Sequence, residues 1–94
     1  MIEWTEQAVR QLEQAHEYIA LSNSEDVALR VVRQIVASVR QLATFPMSGR
    51  RGRTGGTREL VISRSPFIAA YKIDGDRIII LALYHGAQRW PETL

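Results

Sequence analysis

The run Ile78 to Tyr84 contains seven residues without a charge and begins with three consecutive isoleucines. A strand of this kind has no polar side to turn to water, so both of its faces require cover and it belongs in the interior of a sheet. The stretch around it extends that reading. From Thr57 to Trp90 the sequence TRELVISRSPFIAAYKIDGDRIIILALYHGAQRW reads as three consecutive strands. The pair Asp74-Gly75, between Tyr71-Lys72-Ile73 and Asp76-Arg77-Ile78, predicts a tight hairpin, because a two-residue turn needs positive φ and glycine adopts it without steric cost. Ser63-Arg64-Ser65-Pro66 links Leu60-Val61-Ile62 to Phe67-Ile68-Ala69, and a proline can begin a strand although it cannot donate within one. An antiparallel meander follows.

The residues before the meander read as its cover. Ile2 and Trp4 alternate around Glu3 as a short half-buried strand does. Thr5 is placed as an N-cap, and Ala8, Leu12, Ala15 and Ile19 then share one face of a helix predicted from about Glu6 to Leu21. Ser22-Asn23-Ser24 interrupts the pattern. Ser24 caps a second helix, with Glu25 and Asp26 in the first turn where the helix dipole favours acids. Its apolar stripe is Ala28, Val32, Ile35, Val39 and Leu42, widened by Val31 and Val36, and Phe45-Pro46 ends it. Met47 to Gly56 holds four glycines and three arginines without periodicity, so it reads as a flexible loop. The predicted fold is α+β in the order βααβββ, a helical hairpin packed on a mainly antiparallel sheet.

At 94 residues and 46% hydrophobic content the chain supports one domain, spanning 1–94, with one modest core. The chain has no cysteine, which removes disulfides and thiolate metal sites. No apolar run approaches the roughly 18 residues of a membrane span and no leader pattern opens the chain, so a cytoplasmic protein with no membrane contact is expected. Charge is divided along the length. Residues 1–45 carry four arginines against six acids, while residues 46–94 carry seven arginines and one lysine against four acids. Arg50, Arg51, Arg53, Arg58 and Arg64 fall within fifteen positions, and arginine favours bidentate recognition of carboxylate or phosphate.

No GxxxxGK[ST] or strand-bound GxGxxG accompanies these arginines, so a nucleotide cradle has no support. The cluster reads either as a contact surface for a nucleic acid or acidic peptide, or as a solvated loop. Arg58 begins a strand, on the face of Leu60 and Ile62, and Asp76 and Glu92 are possible ion-pair partners. His85 follows the interior strand and stands four residues before Arg89; it reads either as a surface cap or as an imidazole presented for proton transfer. Trp90 either closes the core edge or joins the contact surface. His16 and His85 have no second histidine or cysteine at ligand spacing, so no metal and no cofactor are expected.

Trp4, the helical pair, Phe45-Pro46 with Gly49-Arg50, Thr57-Arg58-Glu59-Leu60, Tyr71 ahead of the Asp-Gly turn, Ile78-Ile79-Ile80-Leu81 and His85-Gly86-Ala87-Gln88-Arg89-Trp90-Pro91 together resemble the RelE/ParE superfamily of toxins from bacterial type II toxin–antitoxin modules. The resemblance spans nearly the whole chain. It implies a growth-arresting toxin neutralised by a cognate antitoxin, with operator DNA reached only through that antitoxin. RelE-like members cut mRNA on the ribosome with cations on the strands; ParE-like members poison DNA gyrase. The positions resembling those strand cations are here Glu59, Val61 and Ile68, so the resemblance points to the ParE branch. Arg50, Arg51, Arg53, Arg58, Arg64, Arg89 and Trp90 are then the expected target or partner contacts. Arg58, His85 and Arg89 are the candidate set if the chain is a nuclease, and a module member that acts only in an antitoxin complex is the third reading.

Overall fold

The computed structural model describes residues 1–86. Two helices pack on one face of a five-stranded mixed sheet. The chain opens with β1 (Ile2–Trp4), and Thr5 then turns it directly into α1 (Glu6–Ser22). The Thr5 hydroxyl accepts from the Ala8 N–H at 3.1 Å and donates to the Leu81 carbonyl at 3.1 Å. One side chain thus caps the helix and ties it to the last strand. A short turn leads to α2 (Glu25–Arg40), where Ser24 Oγ accepts from the Val27 N–H at 3.1 Å. A single 3₁₀ turn, Gln41–Ala43, follows.

The sheet contains β2 (Arg50–Arg51), β3 (Arg58–Val61), β4 (Phe67–Asp74) and β5 (Arg77–His85) beside β1. Its order is β1-β5-β4-β3-β2. β1 runs parallel to β5, with Ile2 opposite Ile78 and Trp4 opposite Ile80, and the other pairs are antiparallel. The isoleucine-rich run is therefore interior, as expected. Its cover is uneven: Ile78, Ile80, Ala82, Leu83 and Tyr84 are buried, whereas Ile79 and Leu81 are half-buried.

The main core lies between helices and sheet. Ala8, Ala15, Ile35, Val39 and Leu42 from the helical side meet Ile62, Phe67, Ala69, Tyr71, Ile78, Ile80 and Leu83 from the sheet. Both helical stripes face the sheet as the periodicity predicts. A register slip sets Ala70 opposite Ala82 but Tyr71 opposite Ile80, leaving Leu81 without an opposite residue. This bulge inverts the alternation along β5. Ile78 and Ile80 point to the main core, and beyond the slip Leu83 does so while Ala82 and Tyr84 join Ala70 in a smaller cluster on the other face.

Two local expectations need correction. The tight turn is Gly75-Asp76, closed by Asp74 opposite Arg77, and only Gly75 has positive φ (62°), the pattern of a type II′ turn. The stretch Met47–Gly56 is not a structureless loop, because Arg50 and Arg51 form an edge strand opposite Glu59 and Arg58. The meander is accordingly extended on both sides, by β2 at one edge and β1 at the other.

Candidate functional site

The arginine-rich segment is anchored to the sheet from beneath. Tyr71, fully buried, accepts the Gly49 N–H on its hydroxyl at 2.9 Å and donates to the Pro46 carbonyl at 2.8 Å. Gly49 has to be glycine here, since a Cβ would stand 2.5 Å from the Tyr71 hydroxyl and 2.9 Å from the Glu59 carbonyl oxygen. Arg58 Nη1 donates to the Gly49 carbonyl at 2.7 Å and to that of Met47 at 3.4 Å. Further along, Gly52 N–H bonds to the Thr57 carbonyl at 2.8 Å and closes the segment.

Arg50 is held as well. Its Nε and Nη2 both reach Glu59 Oε1, at 3.0 and 2.8 Å. Glu59 is only 3% exposed, and its second oxygen, Oε2, has no hydrogen-bond partner. Sequence alternation places Glu59 opposite the helix-facing side, where a carboxylate is ordinarily solvated; pairing with Ala70 across β3 and β4 buries it instead. Tyr84 belongs to the same face. Burial pushes its phenol up to about 12, the Glu59 charge adds to the rise, and Arg53 and Arg50 oppose it.

Two hollows flank these residues. A basin of about 590 Å³ is lined by Arg51, Arg53 and Arg58 with Gly55, Gly56 and Ile73 among its walls. A cleft of about 500 Å³ opens where α1 passes the end of β5, between Gln11, Tyr18, Phe67, Tyr84 and His85. His85 is half-buried there and stands edge-on to the Phe67 ring, with centroids 5.8 Å apart. Among the described residues no cluster of three or more His, Cys, Asp or Glu side chains offers a metal site.

The model of the family described as "ParE toxin of type II toxin-antitoxin system, parDE" matches residues 2–90. The chain belongs to the ParE toxin family. It is the toxin of a ParDE-type toxin–antitoxin system. "Putative toxin Y4kP" of Sinorhizobium fredii is 43% identical over 93 residues, which is 99% of this chain and 95% of the relative. A solved structure titled "Chromosomal ParDE TA system from P. aeruginosa" superposes with a TM-score of 0.83 at 28% identity, covering 89% of this chain and 92% of the other. The ParE fold and the α+β expectation agree.

Within this ParE chain the expected contact residues separate. Arg51, Arg53 and Arg58 share the basin, whereas Arg50 lies against Glu59. Arg58 bonds the Gly49 and Met47 carbonyls, and among the described residues it forms no ion pair with Asp76. Arg64 stands at the other end of β3, in the turn to β4, with φ of 61°. Arg89, Trp90 and the proposed acceptor Glu92 lie outside the described residues. The sequence assigns no anchoring role to Tyr71, no buried place to Glu59 and no part in the site to Tyr84. Only the placement of Tyr71 one strand away from a Gly-rich segment hinted at the first. No helix among the described residues is long and apolar enough to cross a membrane.

Proposed function

We propose that this ParE toxin arrests growth by binding and poisoning DNA gyrase, and that a cognate antitoxin neutralises it by covering the toxin surface. The observation that carries the reading against RNA cleavage is the chemistry of the strands. Glu59, Val61 and Ile68 occupy the positions resembling the nuclease cations, with Val61 opposite Ile68 and Glu59 turned to Arg50. A phosphorane needs cations and a proton carrier converging on it. The two aliphatic side chains supply neither, and the Glu59 carboxylate brings no positive charge and is buried against Arg50.

The substitute nuclease set has less support. Arg58 directs Nη1 at the Gly49 and Met47 carbonyls, and His85 lies against Phe67 at the far end of the sheet. Purified toxin tested on gyrase supercoiling and on ribosomes translating a defined mRNA separates the readings. Inhibited supercoiling with intact mRNA is expected. For a binding surface, removing one exposed arginine reduces potency by about 0–2 kcal/mol; a nuclease would lose about 10²–10⁴ in rate with its acid or base. Cleavage of ribosome-bound mRNA that disappears in His85→Ala, with supercoiling unaffected, overturns the proposal. Inactivity in both assays favours a member that acts only within its antitoxin complex.

A further inference from the structure

We propose that the basin of Arg51, Arg53 and Arg58 around the Gly55-Gly56 turn is a binding site for a phosphodiester of a nucleic-acid backbone. Three guanidinium groups line a hollow of about 590 Å³, and none of the described residues lining it is acidic. Their mutual repulsion is reduced when an anion enters, and a nucleic-acid backbone brings phosphodiester anions at regular intervals with release of counterions. Arg58 is already oriented, since Nη1 is fixed on the Gly49 and Met47 carbonyls. A guanidinium has five N–H donors, so donors on Nε and Nη2 remain for a ligand.

The turn contributes backbone. A Cβ built at Gly55 or at Gly56 meets no atom within 4 Å, and Gly56 holds φ of 80°. A bulky chain therefore approaches the turn without obstruction. Amide groups on such turns are phosphate donors in nucleic-acid complexes. The frame is also rigid: the Tyr71 hydroxyl, the Arg50–Glu59 pair and the Gly52–Thr57 bond hold the segment on three sides. A preformed site loses little ordering entropy on binding. An acidic peptide offers the same sign of charge, but its carboxylates sit on flexible side chains that have to be ordered one by one.

The site stands independently of the gyrase proposal, because it is tested on naked nucleic acid without any enzyme. Fluorescence anisotropy of the full chain with a short labelled DNA duplex, and separately with single-stranded RNA, is followed between about 50 and 200 mM salt. Binding should weaken with salt, with a log–log slope near −0.9 per phosphate contact on duplex and −0.7 on single strands. The arm that binds more tightly identifies the source. Replacing Arg51 and Arg53 together by glutamine should lower the slope by about two on duplex, while Arg33→Gln on the outer side of α2 leaves it unchanged. In the unaltered chain the Gly55 and Gly56 amide resonances should shift as nucleic acid is added, a readout that survives if the double variant does not fold. An unchanged slope in a folded double variant, still Gly55 and Gly56 resonances during binding, or poly-glutamate binding at least as tightly as either nucleic acid would each overturn the site.

Discussion

Arg50 and Arg51 are adjacent on the same short strand, yet one faces a buried carboxylate and the other lines an open basin. Arg50→Ala removes the hydrogen-bond partner of Glu59, which is 3% exposed and already has one unpaired oxygen. Stranding a buried acceptor costs about 1–3 kcal/mol, and more when it is charged. Arg51→Ala removes an exposed side chain and should stay within about 0.5 kcal/mol. Urea titrations check the contrast, since a pure stability loss moves the midpoint without changing the slope; equal midpoints would contradict the assigned roles. Tyr84 yields a pH prediction. Its folded pKa of about 12 lies above the ordinary 10.0, so the native state retains the proton longer than the unfolded chain. This contribution to stability is complete below about pH 10 and is lost as pH rises from there towards 12. Melting temperatures across that range should fall less steeply in Tyr84→Phe than in the parent chain.

The segment between the second helix and β3 shows how an element with no periodicity becomes ordered. Its backbone polar groups are satisfied by side chains from outside it: the Tyr71 hydroxyl serves Gly49 and Pro46, and Arg58 serves Met47 and Gly49. Tyr71→Phe keeps the ring in the core but leaves the Gly49 N–H and Pro46 carbonyl without that partner. The loss should be about 1–3 kcal/mol, accompanied by faster amide exchange at Gly49 and along β2. Slowed or unchanged exchange there would show that Tyr71 does not hold the segment. The opposite edge is secured differently. Arg77 donates to both Glu3 oxygens, at 2.5 and 3.0 Å, and holds that carboxyl below its usual range, tying β1 to β5 across 74 positions of sequence.

At the scale of the whole molecule, exposed apolar groups indicate where an antitoxin would add. Tyr18 is 71% exposed and Leu21 is 82% exposed, three residues apart on α1, and Val61 on β3 is 52% exposed. β2 pairs only with Arg58 and Glu59, so β3 continues past it through Leu60 and Val61 without β2 as a neighbour. A partner can satisfy such an edge by adding a strand and can cover the helical residues with an amphipathic helix. A domain of this length is stabilised by about 5–15 kcal/mol, and a partner present at a hundred times its Kd adds about 2.7 kcal/mol. Hydrogen exchange on free and antitoxin-bound toxin should therefore slow along Leu60-Val61 or along the Tyr18–Leu21 turn. Identical protection in both regions would rule out both surfaces.

The helices, their caps, the hairpin before β5 and the interior position of the Ile78–Tyr84 run were all legible in the sequence, because each depends on a pattern confined to a few residues. Thr5 and Ser24 could be placed as caps for the same reason: the acceptor and its N–H lie three positions apart. Other features were decided by tertiary structure. The parallel seat of β1 joins Ile2 to Ile78, and no local periodicity encodes a partner so distant. The slip at Leu81 reverses which side chains reach the core, so strict alternation from Ile78 assigns Ala82 and Tyr84 to the wrong face. Arg50, Arg51, Arg53 and Arg58 look alike as a charge cluster and diverge only because Glu59 is buried beside one, and the Gly49 and Met47 carbonyls stand beside another. A sequence reports that a side chain carries charge; the folded surroundings decide whether that charge is used to hold the chain or is left facing a partner.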